Sequence, residues 1–197
     1  MDRIGEIIMK KASQILLALM ILVLSTQAAF ASTHKCTIAE GADLTNINKI
    51  AVGMPRYRQA KNDLLTKDEL INTMGESTGL SKINVVPYSE VVKAISNKTH
   101  IDISNLNQRN AADEFRKNVA ICADAYVVTL VANGSSPTVF FYDVYRAGTN
   151  ELLYTYEIIS ESSDYTDLRT CKAYTEEFYN NLGHAISEQK KKAAKKK

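Results

Sequence analysis

The chain has 197 residues, 45% hydrophobic and 23% charged, with eight glycines, three prolines and three cysteines. These proportions exclude a disordered, collagen-like or disulfide-scaffolded chain and allow one ordinary domain with a core of its own. The net charge of +2 hides an asymmetry: apart from residues 1–31 and six lysines within 190–197, the body holds 15 basic against 20 acidic residues, which excludes a broadly basic nucleic-acid-coating surface.

The first 31 residues have the three parts of a secretory signal peptide. A polar start ends on Lys10 and Lys11, residues 15–24 (ILLALMILVL) are uninterruptedly apolar, and Ala29-Phe30-Ala31 supplies a small-x-small cleavage pattern. A membrane-spanning helix needs about 20 apolar residues, and this run is followed at once by Ser25, Thr26 and Gln27. Cleavage after Ala31 is therefore expected, with a secreted or periplasmic product. The first cysteine beyond this segment is Cys36, preceded by Ser32-Thr33-His34-Lys35 rather than a lipobox, so a lipoprotein is not expected.

Residues 32–48 read as a polar lead-in, 49–189 as a single α/β domain and 190–197 as a lysine-rich tail. Lys49-Ile50-Ala51-Val52-Gly53-Met54 is a short buried strand stopped by Pro55, and residues 56–65 form a charged connection. Thr66-Lys67-Asp68-Glu69 has capping-box spacing and opens a helix that Gly79 closes. A second strand over 82–87 leads into a short helix over 89–95. Asn110 caps a further helix with Ala111, Phe115 and Val119 inward.

From Asp124 the period changes to that of strands. Residues 125–131 (AYVVTLV) form a strand buried on both faces. Residues 133–137 (NGSSP) turn, 138–146 alternate, Gly148-Thr149-Asn150 turn again, and 151–160 return as the antiparallel partner. The longest helix spans 165–189, with Leu168, Cys171, Tyr174 (or Thr175), Phe178, Leu182 and Ile186 on one stripe. The order β-α-β-α-α-β-β-β-α predicts an α/β (α+β) fold, a mixed sheet of about five strands with helices packed on it.

Three motifs resemble a broad group of exported bacterial α/β domains. The first is the strand running into a helix, Ile83-Asn84-Val85-Val86-Pro87-Tyr88-Ser89-Glu90-Val91-Val92. The second is Cys122-Ala123-Asp124-Ala125-Tyr126-Val127-Val128, and the third is Phe141-Tyr142-Asp143-Val144 with its glycine turn and return strand. The group includes the N-terminal domain of TolB, the curli-secretion lipoprotein CsgG and the lipoprotein activators of penicillin-binding proteins. The motifs describe packing and turns, so the resemblance implies a fold, and with it an envelope binding or assembly module without catalysis. Pro87-Tyr88 stands where these proteins often carry an arginine, and membrane anchoring does not carry over.

Catalytic and metal chemistry is weakly represented. There is no glycine-rich phosphate loop, and His34, His100 and His184 have no second ligand at helical spacing, so no metal and no cofactor is expected. Ten tyrosines occur without a tryptophan, concentrated on the last strands. Half-buried strand aromatics are the ordinary reading; the sharper one makes Tyr142, Tyr145, Tyr154 and Tyr156 a surface for an envelope protein or for self-association. Export permits a disulfide, and Cys36 with Cys171 is the candidate pairing among three. Lys190, Lys191, Lys192, Lys195, Lys196 and Lys197 form a solvated tail or a contact for anionic lipid or cell-wall polymer. The alternative function is a small secreted hydrolase, which requires a nucleophile and base that tertiary structure alone can bring together.

Overall fold

The computed structural model divides the chain into two units, Met1–Ala31 and Ser32–Lys197, and describes residues 32–57, 64–76, 83–132, 137–160 and 167–195. The expected signal segment, Gly79, most of the 133–137 turn, Lys196 and Lys197 lie outside the described residues.

In chain order the elements are β1 (Ser32–Ile38), β2 (Lys49–Val52), β3 (Arg56–Tyr57), α1 (Lys67–Glu76), β4 (Asn84–Val86), α2 (Tyr88–Thr99), α3 (Gln108–Asn118), β5 (Ala125–Ala132), β6 (Thr138–Arg146), β7 (Leu152–Ser160) and α4 (Leu168–Ala194). They build a mixed α/β sheet of seven strands in the order β1-β7-β6-β5-β2-β4, with β3 pairing β5 beyond the end of β2. The β4-β2-β5 part is parallel and the β5-β6-β7-β1 part antiparallel.

Two strands exceed the five read from the sequence. The polar lead-in is in part β1, which pairs β7 over its whole length from Ser32↔Ser160 to Ile38↔Tyr154. Its exposed side chains carry no hydrophobic pattern, because an edge strand can be held by its backbone ladder alone. β3 lies within the charged connection and is only two residues long. Between β2 and β3, Gly53 donates its N–H to the Val127 carbonyl at 2.8 Å, and a Cβ there would sit 2.9 Å from that oxygen.

Local chemistry sets the helix starts. Thr66 and Glu69 form the reciprocal capping box: the Thr66 N–H donates to Glu69 Oε2 at 2.8 Å, and the Glu69 N–H to Thr66 Oγ1 at 3.2 Å. The third helix is capped by Asn107 rather than Asn110, since Asn107 Oδ1 accepts the Asn110 N–H at 3.0 Å. Asp167 caps α4 by accepting the Thr170 N–H at 2.6 Å, so the helix begins at Leu168, three residues after the expected start, and runs on to Ala194.

The core lies on both faces of the sheet. On one face α4 sets Cys171, Tyr174, Phe178, Leu182 and Ile186 against β6 and β7, joined by Leu70 and Met74 of α1. On the other, Val91 and Ile95 of α2, Phe115 of α3 and Val119 pack on Ala51 of β2 and Tyr126 of β5. The second layer covers only the parallel half. Val128, Leu130, Val139, Phe141 and Ile159 stay half-buried on the antiparallel half.

Candidate functional site

A cavity of about 810 Å³ lies at the border between these two halves. Its floor is aromatic. Tyr88 stacks on Phe115 at 6.0 Å between ring centres, Phe115 meets Tyr126 edge-on at 5.7 Å, and Tyr126 stacks on Tyr145 at 5.3 Å. Three different parts of the fold align this row. Tyr88 opens α2 directly after β4, Phe115 is the inward residue of α3, and Tyr126 and Tyr145 are directly opposed on β5 and β6. Such offset and edge contacts are favoured geometries of aromatic pairs.

The walls are cationic. Arg56 of β3, Arg109 and Arg116 of α3 and Lys67 of α1 line the cavity, together with Gly53, Met54 and Pro55 of the β2–β3 link. Arg116 is loosely tied to Asp113 at 3.5 Å; among the described residues neither Arg56 nor Arg109 pairs with a carboxylate. Burial pushes the Tyr126 phenol up to about 12, opposed first by Arg116 and, more weakly, by Arg56. Burial also raises Tyr145, with Asp143 adding to the rise and Arg56 opposing it. The arginines thus act electrostatically on the aromatic floor. The Tyr126 hydroxyl is held by donation to Asn150 Oδ1 at 2.9 Å, and Asn150 takes a left-handed backbone, φ 61°, in the β6–β7 turn.

No family model matches the chain, and no curated protein matches it. Among solved structures it is similar to the PelC dodecamer from Paraburkholderia phytofirmans, at 10% identity and TM-score 0.41 over 77% of this chain and 97% of that one. It is similar to the LpoB C-terminal domain from Escherichia coli at 14% identity and TM-score 0.42, over 64% and 90%. It is also similar to TolB from Acinetobacter baumannii at 13% identity and TM-score 0.36, over 76% of this chain and 31% of that one. TolB and LpoB represent groups whose layout the sequence motifs resemble. The likeness is one of fold.

The residues singled out from the sequence are not gathered in this cavity. Tyr142, Tyr154 and Tyr156 are buried under α4, with Tyr142 stacked on Phe178 at 4.7 Å. This corrects the reading of a four-tyrosine surface: alternate residues of β6 and β7 meet the apolar stripe of α4, and only Tyr145 falls on the opposite face. Cys36 is exposed on β1 and Cys171 buried in α4, and each thiol is free, so the candidate bridge is not formed. The register of α4 turns Cys171 into the core, where burial raises its thiol to about 12. Lys190, Lys191, Lys192 and Lys195 lie exposed on the end of α4, with Lys190 Nζ donating to Asn48 Oδ1 at 3.3 Å.

A second polar group sits at the β1 edge. His34 Nδ1 lies 2.9 Å from Glu177 Oε1 and 3.2 Å from the Tyr156 hydroxyl. That hydroxyl donates to Glu177 Oε1 at 2.8 Å and accepts from Asn181 Nδ2 at 3.1 Å. On its other side the imidazole Nε2 shares a hydrogen bond with Ser32 Oγ. His34 has a ligating type of side chain but no metal-spaced companion, so the sequence carried no signal for this contact with α4. Arg56 and Arg109 were equally silent: both are exposed charges, and no spacing in the sequence links them to each other or to the tyrosines. Among the described residues no cluster of three or more histidine, cysteine or carboxylate side chains is grouped to hold a metal, and no helix is long and apolar enough to cross a membrane.

Proposed function

We propose that the domain beginning at Ser32 is a non-enzymatic binding or assembly module of the bacterial cell envelope. It engages an extended segment of a partner protein as an eighth strand on β1. The observation that carries this reading is the β1 edge: seven residues without proline, six of them exposed, terminal in the sheet. The Ala39 N–H donates to the Leu153 carbonyl, so by the alternation of an antiparallel ladder the backbone groups of Thr33, Lys35 and Thr37 face β7. Those of His34, Cys36 and Ile38 face outward, as a partner strand requires. The half-buried apolar residues on the open face of β5–β7 extend the contact area.

Proline at an outward position removes a donor to the partner while sparing the ladder to β7. Cys36→Pro is therefore expected to abolish capture of the partner from envelope extract, and Cys36→Ser to retain it. Equal capture by both variants rejects the edge as the contact. Loss of a self-associated species in Cys36→Pro, read by light scattering, makes the occupant a second copy of the chain. Mass spectrometry of the exported protein checks the start at Ser32.

One observation favours the alternative of a small hydrolase. Ser32, His34 and Glu177 stand in the order of nucleophile, base and orienting acid, on the open sheet edge rather than in the cavity. Hydrolysis of an activated aryl ester by the Ser32-initiated protein, lost in both Ser32→Ala and His34→Ala, would establish that reading; rates unchanged by either substitution remove it.

A further inference from the structure

We infer that the cavity is a binding site for a small organic anion, one whose carboxylate or phosphate is joined to a planar ring. The inference is independent of the β1 edge contact.

The body of the domain is acidic, with 15 basic against 20 acidic residues, yet the charged side chains lining this cavity are Arg56, Lys67, Arg109 and Arg116. Bringing like charges together opposes folding unless something offsets their repulsion, and the pair of Arg116 with Asp113 is exposed and long. An anion supplies the missing counter-charge. A guanidinium presents parallel N–H donors that match the two oxygens of a carboxylate or phosphate, so arginines favour that geometry over a diffuse negative surface.

The floor defines the rest of the ligand. Four rings form a continuous row across four elements, with Tyr88 and Tyr145 half-exposed at its two ends and Phe115 and Tyr126 buried between them. A flat apolar body finds ring surface there, while the arginines stand at the rim. A volume of about 810 Å³ falls within the usual range for small-molecule sites, about 300–1,000 Å³. The site is also stiff. Gly53 is pressed against the Val127 carbonyl, Pro55 holds the link to Arg56, and the Tyr126 hydroxyl is tied to Asn150. A pre-formed wall lowers the ordering cost of binding.

The test uses 2-naphthoate, 1-naphthyl phosphate and the neutral isostere 2-naphthamide, titrated into the Ser32-initiated protein by calorimetry, with amide-resonance shifts locating the site. One or both anions are expected to bind at least about tenfold more tightly than the amide. Binding should weaken as ionic strength rises to about 0.15 M, with shifts at Tyr126, Tyr145 and Gly53. The naphthoate and phosphate arms distinguish a carboxylate ligand from a phosphate one. The double variant Arg56→Gln/Arg109→Gln alters two exposed side chains and is expected to keep the fold, checked by its denaturation midpoint, and to lose at least about tenfold in anion affinity. Arg146→Gln, whose side chain pairs with Glu151 at 2.9 Å away from the cavity lining, is expected to bind as the parent does. Equal affinity for anion and amide, undiminished binding by the double variant, or absence of anion binding at millimolar concentration overturns the proposal.

Discussion

Gly148 and Tyr154 show two ways in which one residue carries structure. Gly148 has φ +84° in the β6–β7 turn, and a Cβ there would meet only Ala120 Cβ at an ordinary 3.6 Å. The cost of a side chain is therefore backbone strain rather than a clash. Gly148→Val is expected to destabilise the domain by about 1–2 kcal/mol, and a urea midpoint equal to the parent's would contradict it. Tyr154 lies under α4 with its hydroxyl buried and unpartnered among the described residues. Burial without a hydrogen bond is unfavourable for a hydroxyl, and burial pushes its phenol well above the ordinary value. Tyr154→Phe keeps the ring and removes the orphaned group, so its midpoint is expected to equal or exceed the parent's by up to about 1 kcal/mol. The turn glycine was legible in the sequence. The buried hydroxyl was not, because the ring of α4 that faces Tyr154, Phe178 at 6.5 Å between ring centres, lies 24 positions further along the chain.

Among the elements, α4 is the one whose length and role diverge most. Its inward stripe ends at Ile186, and its last tie to the body before the lysines is Gln189. That side chain accepts from the Leu44 N–H at 2.8 Å and donates to the Ala42 carbonyl at 3.2 Å. Beyond it, Lys191 pairs only with Glu188 one turn earlier, exposed to solvent, and such pairs contribute little. Deleting residues 190–197 is thus expected to change stability by less than about 0.5 kcal/mol; a clearly lower melting temperature would show that the lysine turns hold the N-terminal segment. β1 is the converse case. Its side chains gave no strand signal, yet it is a full partner of β7, because ladder hydrogen bonds need no particular side chain. Periodicity reads burial, and an exposed edge strand buries almost nothing.

For the whole molecule, buried phenols and thiols govern the alkaline limit. Cys171 is raised from 9.0 and Tyr126 from 10.0, each to about 12, chiefly by burial. A group whose folded value is raised contributes stability that is complete below its unfolded value and lost as pH climbs through the folded one. Stability is therefore expected to hold steady with respect to these groups up to about pH 9 and to fall between about pH 9 and 12. Urea midpoints measured across that range check it, and a flat profile would mean that these groups are solvated. Sequence alone determined the α/β class, the order of the principal elements, the capping box at Thr66 and the apolar stripe of α4. These depend on neighbours a few residues apart, which periodicity and turn chemistry report directly. Only the tertiary structure decided that β1 completes the sheet, that Tyr142, Tyr154 and Tyr156 belong to the core while Tyr145 faces the cavity, and that Arg56, Arg109 and Arg116 converge. Those outcomes depend on which face each helix covers and on residues far apart in the chain, such as Ser32 and Ser160, meeting across the sheet; no local pattern encodes that pairing.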